Sequence, residues 1–140
     1  MLPGVTQVVL AEDNDFVRKG IRKMLNKAPD IEVIGEARDG KEALILVNEL
    51  QPNILILDVE MPRINGIEVA HQLKIKGVNI HILVLSAYDD LQYIRQMLLN
   101  GVAGYLIKDE APERIIEAVR GIAQGEIGWV SPQVKAKLKW

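Results

Sequence analysis

Among 140 residues there is no cysteine. That absence excludes a disulfide framework, a Cys-ligated zinc or iron–sulfur site and a thiol nucleophile, and it fits a reducing, cytoplasmic setting. An excess of either charge is missing as well, since 17 Lys+Arg against 19 Asp+Glu leave a net charge of −2. A surface that wraps nucleic acid unaided needs a basic excess, so any role on DNA requires help from elsewhere. Long apolar runs are also lacking. The longest uncharged stretches, 77–88 and 97–107, fall short of the roughly eighteen residues that suggest a membrane span. Residues 1–6 show neither the basic nor the apolar region of a secretory signal. The expectation is a cytoplasmic protein with no membrane partner.

What the chain does have is apolar material, 49% of its residues, enough for one core in one domain of ordinary size. Four short runs, 7–11, 53–57, 80–85 and 102–107, are rich in Val, Ile or Leu without a clean period of two, and a weaker run covers 31–37. Continuous runs of this kind read as strands buried on both faces. Between them lie residues at helical spacing, such as Ala43, Leu44, Val47 and Leu50, or Ile115, Ile116, Val119 and Ile122. Asp39-Gly40, Asn65-Gly66, Asn100-Gly101 and Ala111-Pro112 supply the turn signals. Five strands alternating with five helices predict a doubly wound α/β domain with a parallel sheet over about residues 5–125.

Ligands of such sheets bind beyond the carboxyl ends of the strands. Glu12-Asp13-Asn14-Asp15 follows the first run, Asp58-Val59-Glu60 the third, Ser86 the fourth and Lys108 the fifth. Each has a bland reading. Acids after a strand cap the next helix, Asp58 can open a loop, and a lone Ser or Lys there is more often structural. The conjunction favours a site, because all of these residues fall at one end of one sheet. A dinucleotide or flavin phosphate site is disfavoured, since no G-x-G-x-x-G or G-x-x-x-x-G-K-[ST] follows the first strand and the three acids of Glu12-Asp13-Asn14-Asp15 would repel a bare phosphate. Clustered carboxylates suit a hard divalent cation instead, Mg²⁺ or Mn²⁺, beside which a phosphoryl group becomes welcome.

Four segments, L-A-E-D-N-D, L-I-L-D-V-E-M-P-R-I-N-G, L-V-L-S-A-Y and G-Y-L-I-K-D, together resemble the receiver domain of bacterial two-component response regulators, of the NarL/FixJ (LuxR-type) subfamily. The resemblance implies a flavodoxin-like fold with strand order 2-1-3-4-5. It also implies that Asp58 is the phosphoacceptor, that Asp13, Asp58 and the backbone carbonyl of Glu60 ligate Mg²⁺, and that Glu12 acts through a metal-bound water. Lys108 would contact the phosphoryl oxygens, Ser86 would bond the attached group, and Tyr105 would be the aromatic switch that follows Ser86 inward. Glu60 and Tyr88 fall where side chains tune the lifetime of the phosphorylated state. A sensor histidine kinase is the implied partner, and a face of the first and fifth helices is a possible homodimer contact.

Other features read as bland. His71 and His81 are far apart and make a weak metal signal, and Arg18, Lys19, Arg22, Lys23 and Lys27 suggest a solvated basic helix face. After Gly125, Ser131 and Pro132 predict a short helix with Ser131 as its cap, with Val134 and Leu138 on one side and Lys135, Lys137 and Lys139 exposed. The division expected is a receiver domain over 1–125 and, over 126–140, a linker leading toward a helix-turn-helix output domain that the chain does not contain, through which DNA would be bound. A stand-alone receiver is the alternative to truncation. An Asp-nucleophile phosphohydrolase is a weaker rival, because that class places D-x-D after its first strand, and a receiver-like module that works without phosphorylation is a third.

Overall fold

The computed structural model describes residues 4–138, so residues 1–3 and 139–140, with the expectation for Lys139, lie outside the described part. The chain alternates β1 (Thr6–Ala11), α1 (Asp15–Asn26), β2 (Ile31–Ala37), α2 (Gly40–Leu50), β3 (Ile54–Leu57), α3 (Gly66–Ile75), β4 (His81–Ser86), α4 (Leu91–Leu99), β5 (Gly104–Ile107) and α5 (Pro112–Ala123), then adds β6 (Trp129–Val130) and α6 (Pro132–Leu138). The sheet order is β2-β1-β3-β4-β5-β6, and every pairing is parallel. The first five strands stand in the order 2-1-3-4-5, but among the described residues the expectation of five strands and five helices is corrected to six of each, the sixth helix being the short one expected after Ser131. The added strand pairs Trp129 with Gly104 and Val130 with Tyr105. Two residues are too short to declare themselves by periodicity.

Alternate residues of the central strands feed two cores, as a doubly covered parallel sheet requires. Val8, Leu10, Ile54, Ile56, Leu83 and Leu106 pack with Leu25 of α1 and Ile115, Val119 and Ile122 of α5. Val9, Leu55, Leu57, Val84 and Tyr105 pack on the other face with α2, α3, α4 and Val134 of α6. Among the described residues no helix is long and apolar enough to cross a membrane.

Three of the helices that begin at the carboxyl edge of the sheet are capped by Asx residues. Asn14, Asp39 and Asn65 accept N–H bonds at 3.0, 2.8 and 3.0 Å from Val17, Glu42 and Glu68, satisfying donors that a helix N-terminus leaves orphaned. Asp39-Gly40 and Asn65-Gly66 are therefore helix starts as well as turn signals. Gly66 is required for another reason. A Cβ there would lie 2.0 Å from the Asp58 carbonyl oxygen, and the Gly66 N–H bonds the Val59 carbonyl at 2.7 Å. The backbone of α3 thus presses directly on the loop that carries Asp58.

Two expectations about polar residues are corrected here. Arg18 does not lie on a solvated face: it is 7% exposed and bonds Glu36 at 3.2 Å, Asp15 at 2.6 Å and the Glu12 carbonyl at 3.0 Å, while Arg22 pairs with Glu36 at 2.8 Å. Ser131 precedes α6 and its carbonyl accepts the Lys135 N–H at 2.9 Å, but its hydroxyl is not used as a cap. That hydroxyl accepts the Ile107 N–H at 2.9 Å and donates to the Glu110 carboxylate.

Candidate functional site

Strand ends place the expected residues together. The Glu12 N–H bonds the Ala37 carbonyl at 3.0 Å and the Asp58 N–H the Ala11 carbonyl at 3.1 Å, so both acids continue strand pairing one residue past the regular strands. The Lys108 N–H likewise bonds the Ser86 carbonyl at 2.8 Å. Backbone rigidity therefore fixes where the side chains start.

Glu12, Asp58 and Ser86 are buried, Asp13 is exposed and Lys108 is intermediate. One carboxylate oxygen from each of Glu12, Asp13 and Asp58 lies within 4.8 Å of the others. The Lys108 ammonium forms an ion pair with Glu12 and stands 3.4 Å from Asp58 Oδ2. The second Glu12 oxygen accepts the Asn14 N–H at 3.0 Å. Burial pushes the Asp58 carboxyl up to about 7, the Glu12 charge adds to the rise, and Lys108 offsets only part of it. Burial works against the Lys108 ammonium, but its Glu12 and Asp58 partners outweigh that and raise it above the usual lysine range. Two buried acids and a third at the rim, with one ammonium among them, leave net negative charge in a poorly solvated place. All-oxygen donors of that charge fit a hard cation such as Mg²⁺.

Ser86 and Tyr105, the expected switch positions, are joined through the Tyr88 backbone. Ser86 Oγ accepts the Tyr88 N–H at 3.0 Å, and the Tyr105 hydroxyl donates to the Tyr88 carbonyl at 2.7 Å. Tyr105 is already fully buried in this structure. Its burial pushes the phenol up to about 12, against a lowering by the adjacent Ser86 hydroxyl. Glu60 has an exposed side chain and accepts from the Tyr93 hydroxyl at 3.1 Å, and Tyr93 meets Tyr88 edge to face at 6.1 Å. Asp13, Glu60, Asn65 and Tyr93 line a cleft of about 480 Å³ beside the acids. Tyr93 carries no functional signal in the sequence, where an aromatic inside a helix reads as core.

His71 and His81 stay apart from the site: His71 is exposed on α3 beside Asn100, and His81 is exposed where β4 begins. A cavity of about 980 Å³ lies at the opposite end of the sheet among Thr6, Asp30, Pro52, Asn53 and Arg120, and it contains none of the clustered acids.

Comparison with known proteins bears on the family and the fold. The family model described as "Response regulator receiver domain" matches residues 8–120. Transcriptional regulatory protein DegU of Brevibacillus brevis is 34% identical over 132 residues, covering 94% of this chain and 56% of its own length. Nitrate/nitrite response regulator protein NarL of Escherichia coli (strain K12) is 34% identical over 120 residues, covering 86% of this chain and 56% of its own. The chain thus spans little more than half the length of these curated relatives. Among solved structures, the signal receiver domain of the putative response regulator NarL from Mycobacterium tuberculosis superposes with a TM-score of 0.85 at 33% identity, covering 89% of this chain and 100% of that one.

Proposed function

The chain belongs to the response regulator receiver domain family, and from that premise we propose that Asp58 accepts a phosphoryl group from the phosphohistidine of a sensor histidine kinase. A carboxylate oxygen of Asp58 attacks phosphorus in line while the P–N bond breaks and its electron pair leaves with the imidazole. Lys108 holds the transferring oxygens and stabilises charge that develops there. Ser86 then donates its hydroxyl to the attached group, and hydrolysis of the acyl phosphate returns the carboxylate. The domain is a signalling component that assists its own phosphorylation and dephosphorylation, rather than an enzyme acting on an external substrate.

Receiver domains bind Mg²⁺ at an acidic pocket, and here Asp13, Asp58 and the Glu60 backbone carbonyl are the proposed ligands, with Glu12 acting through water. When bound, the ion supplies charge neutralisation for phosphoryl oxygens. The buried Tyr105 ring is proposed to be held in place, rather than drawn in, once Ser86 bonds the phosphoryl group, biasing two pre-existing states. Glu60 and Tyr88 are the proposed determinants of lifetime.

We divide the chain into a phosphoacceptor domain over 1–125 and a linker over 126–140, of which residues 129–138 pack on that domain. The printed name of the DegU relative supports transcription regulation as the activity of a longer protein, which we place in the cytoplasm with DNA bound by a C-terminal output domain. A homodimer through α1 and α5 belongs to the same reading.

The observation that carries the proposal is the buried Asp58 carboxylate 3.4 Å from Lys108, inside a three-acid cluster. Intact mass after incubation with acetyl phosphate and Mg²⁺ tests it. Wild type gains the mass of one phosphate and Asp58→Asn gains none; a variant that is still phosphorylated removes Asp58 from the role.

A further inference from the structure

Resting on the reading of Lys108 as the ammonium that contacts the phosphoryl group, we propose that Ser131, in the tail beyond α5, is a positioning residue for Lys108. The chemistry at Asp58 and the docking of the tail are then one coupled unit.

The turn that carries Lys108 joins β5 to α5. Its closing bond runs from the Glu110 N–H to the Ile107 carbonyl at 3.0 Å. Ser131 bridges the two ends of that turn, accepting the Ile107 N–H at 2.9 Å and donating to the Glu110 carboxylate. Ser131 is fully buried, and a buried hydroxyl must use its bonding capacity locally. Both of its bonds go to residues flanking Lys108, while the Lys108 N–H is anchored independently on the Ser86 carbonyl. The turn from which the Lys108 side chain projects is consequently held by β4 on one side and by the tail on the other.

The tail is itself held at several points. Val130 pairs with Tyr105 across β5 and β6, Val134 is fully buried against the α4 side of the core, and Lys137 stands 3.9 Å from Asp89 in the loop after Ser86. Arg114 of α5 covers the Trp129 ring at 4.9 Å. A Cβ on Gly104 would lie 2.6 Å from the Trp129 carbonyl oxygen, so the close approach of β6 depends on that glycine. Ser131 sits between the paired strand and the buried helix, where its position is determined. Coupling between two sites is reciprocal. A tail that sets the Lys108 turn is in return shifted by whatever the phosphoryl group does to Lys108, and α6 is the element that passes that shift along the chain.

A hydroxyl that merely fastens the tail predicts a loss of stability only, and kinetics separate the two roles. The full 140-residue chain is phosphorylated with acetyl phosphate and Mg²⁺, its rate is followed by intact mass, and Mg²⁺ affinity is measured by calorimetry. Ser131→Ala is expected to slow phosphorylation about tenfold, well within what a misplacement of about 1 Å costs. Mg²⁺ affinity stays within about twofold, because the carboxylates stand on other loops, and Ser131→Thr, which keeps the hydroxyl, recovers most of the rate. In a Lys108→Ala background the Ser131→Ala step changes the rate by less than about twofold. Wild-type speed in Ser131→Ala, or the same slowing without Lys108, overturns the inference. Should Ser131→Ala not fold, Glu110→Gln weakens the same tie from the turn's side and carries the same two outcomes. A wild type that takes no phosphate at all sinks the reading of Asp58, and this inference with it.

Discussion

Two acid–base clusters stand at opposite ends of the sheet, and they shift their acids in opposite directions. At the carboxyl ends of the strands Lys108 meets Glu12 and Asp58, whose side chains are 2% and 6% exposed. At the other end Arg120 clamps Asp30 with two bonds of 2.9 Å, and these partners are 47% and 40% exposed. Asp58 is pushed up to about 7 by burial and by Glu12, whereas the Arg120 hydrogen bonds hold Asp30 below its ordinary 3.8. An adjacent cation does not by itself settle a carboxylate's state. Solvation and the count of like charges decide, and the buried cluster carries one acid too many for its lysine. That surplus makes the site poor as a structural ion pair and well suited to a cation.

The largest expected effect follows from the Asp58 shift. Unfolded chain releases the Asp58 proton near 3.8 and folded chain near 7, so between these values the folded state binds more protons. The Asp58 contribution to stability is fully present below about pH 4 and is lost as pH rises toward 7. Metal-free Asp58→Asn should therefore be more stable than wild type at pH 8 by on the order of 2 to 4 kcal/mol, with the difference fading toward pH 4. Urea midpoints across this range check it. A wild-type profile parallel to that of the variant would place both clusters in the same class and end the contrast.

Removing the base gives the next effect. Lys108→Ala leaves two buried carboxylates without their ammonium and should cost about 2 kcal/mol in metal-free protein at pH 8. Added Mg²⁺ should recover part of this through binding to the folded state alone. In an Asp58→Asn background the cost should shrink, and a double-mutant cycle from the same melts measures by how much. Equal costs in both backgrounds would mean that Asp58 and Lys108 do not sense one another.

With Asp58 as a proposed Mg²⁺ ligand, protons and Mg²⁺ are expected to compete for the same oxygens. Below the raised Asp58 value of about 7, each lower pH unit should weaken Mg²⁺ binding up to about tenfold, and above it affinity should level off. Calorimetric titrations between pH 5.5 and about 8.5 would reveal the bend. Affinity that first falls only near pH 4 would show that Asp58 behaves like an exposed acid.

Only the carboxyl-end cluster of this contrast is legible in the amino-acid sequence. Asp58, Ser86 and Lys108 stand out because continuous apolar runs stop at them, and a parallel sheet gathers such stops on one edge. The order of the first five strands follows from the family resemblance, since alternation alone leaves the order open. Less legible are features whose partners are remote in sequence. Arg18 reads as one member of a basic helix face, yet Glu36 on β2 and the Glu12 carbonyl draw it inside. Ser131 reads as a cap because Pro132 follows it, but its hydroxyl partner, Glu110, is 21 residues away. Tyr93 meets Glu60 across 33 residues, and no local pattern announces a contact of that range. The tail as a whole reads as a segment that leads outward. Its burial depends on Val130 and Val134 meeting an edge and a helix that a linear reading cannot show to be uncovered.

The smallest effect belongs to the exposed pair. Arg120 is an exposed side chain on the last turn of α5 and Asp30 precedes β2, so their bond ties two segments 90 residues apart at the surface. Water solvates both charges, and ordering two side chains consumes most of what the bidentate geometry provides. Asp30 has a lowered value, so its stabilising effect is present above 3.8 and disappears as pH falls through the folded-state value below that. Arg120→Gln should therefore lower the urea midpoint only slightly at pH 7 and low salt. In about 1 M salt, where charges are screened beyond roughly 3 Å, the variant and wild type should coincide. A deficit that survives that salt would show Arg120 acting through hydrogen bonds shielded from ions, as Lys108 does, and the two ends of the sheet would differ in degree only.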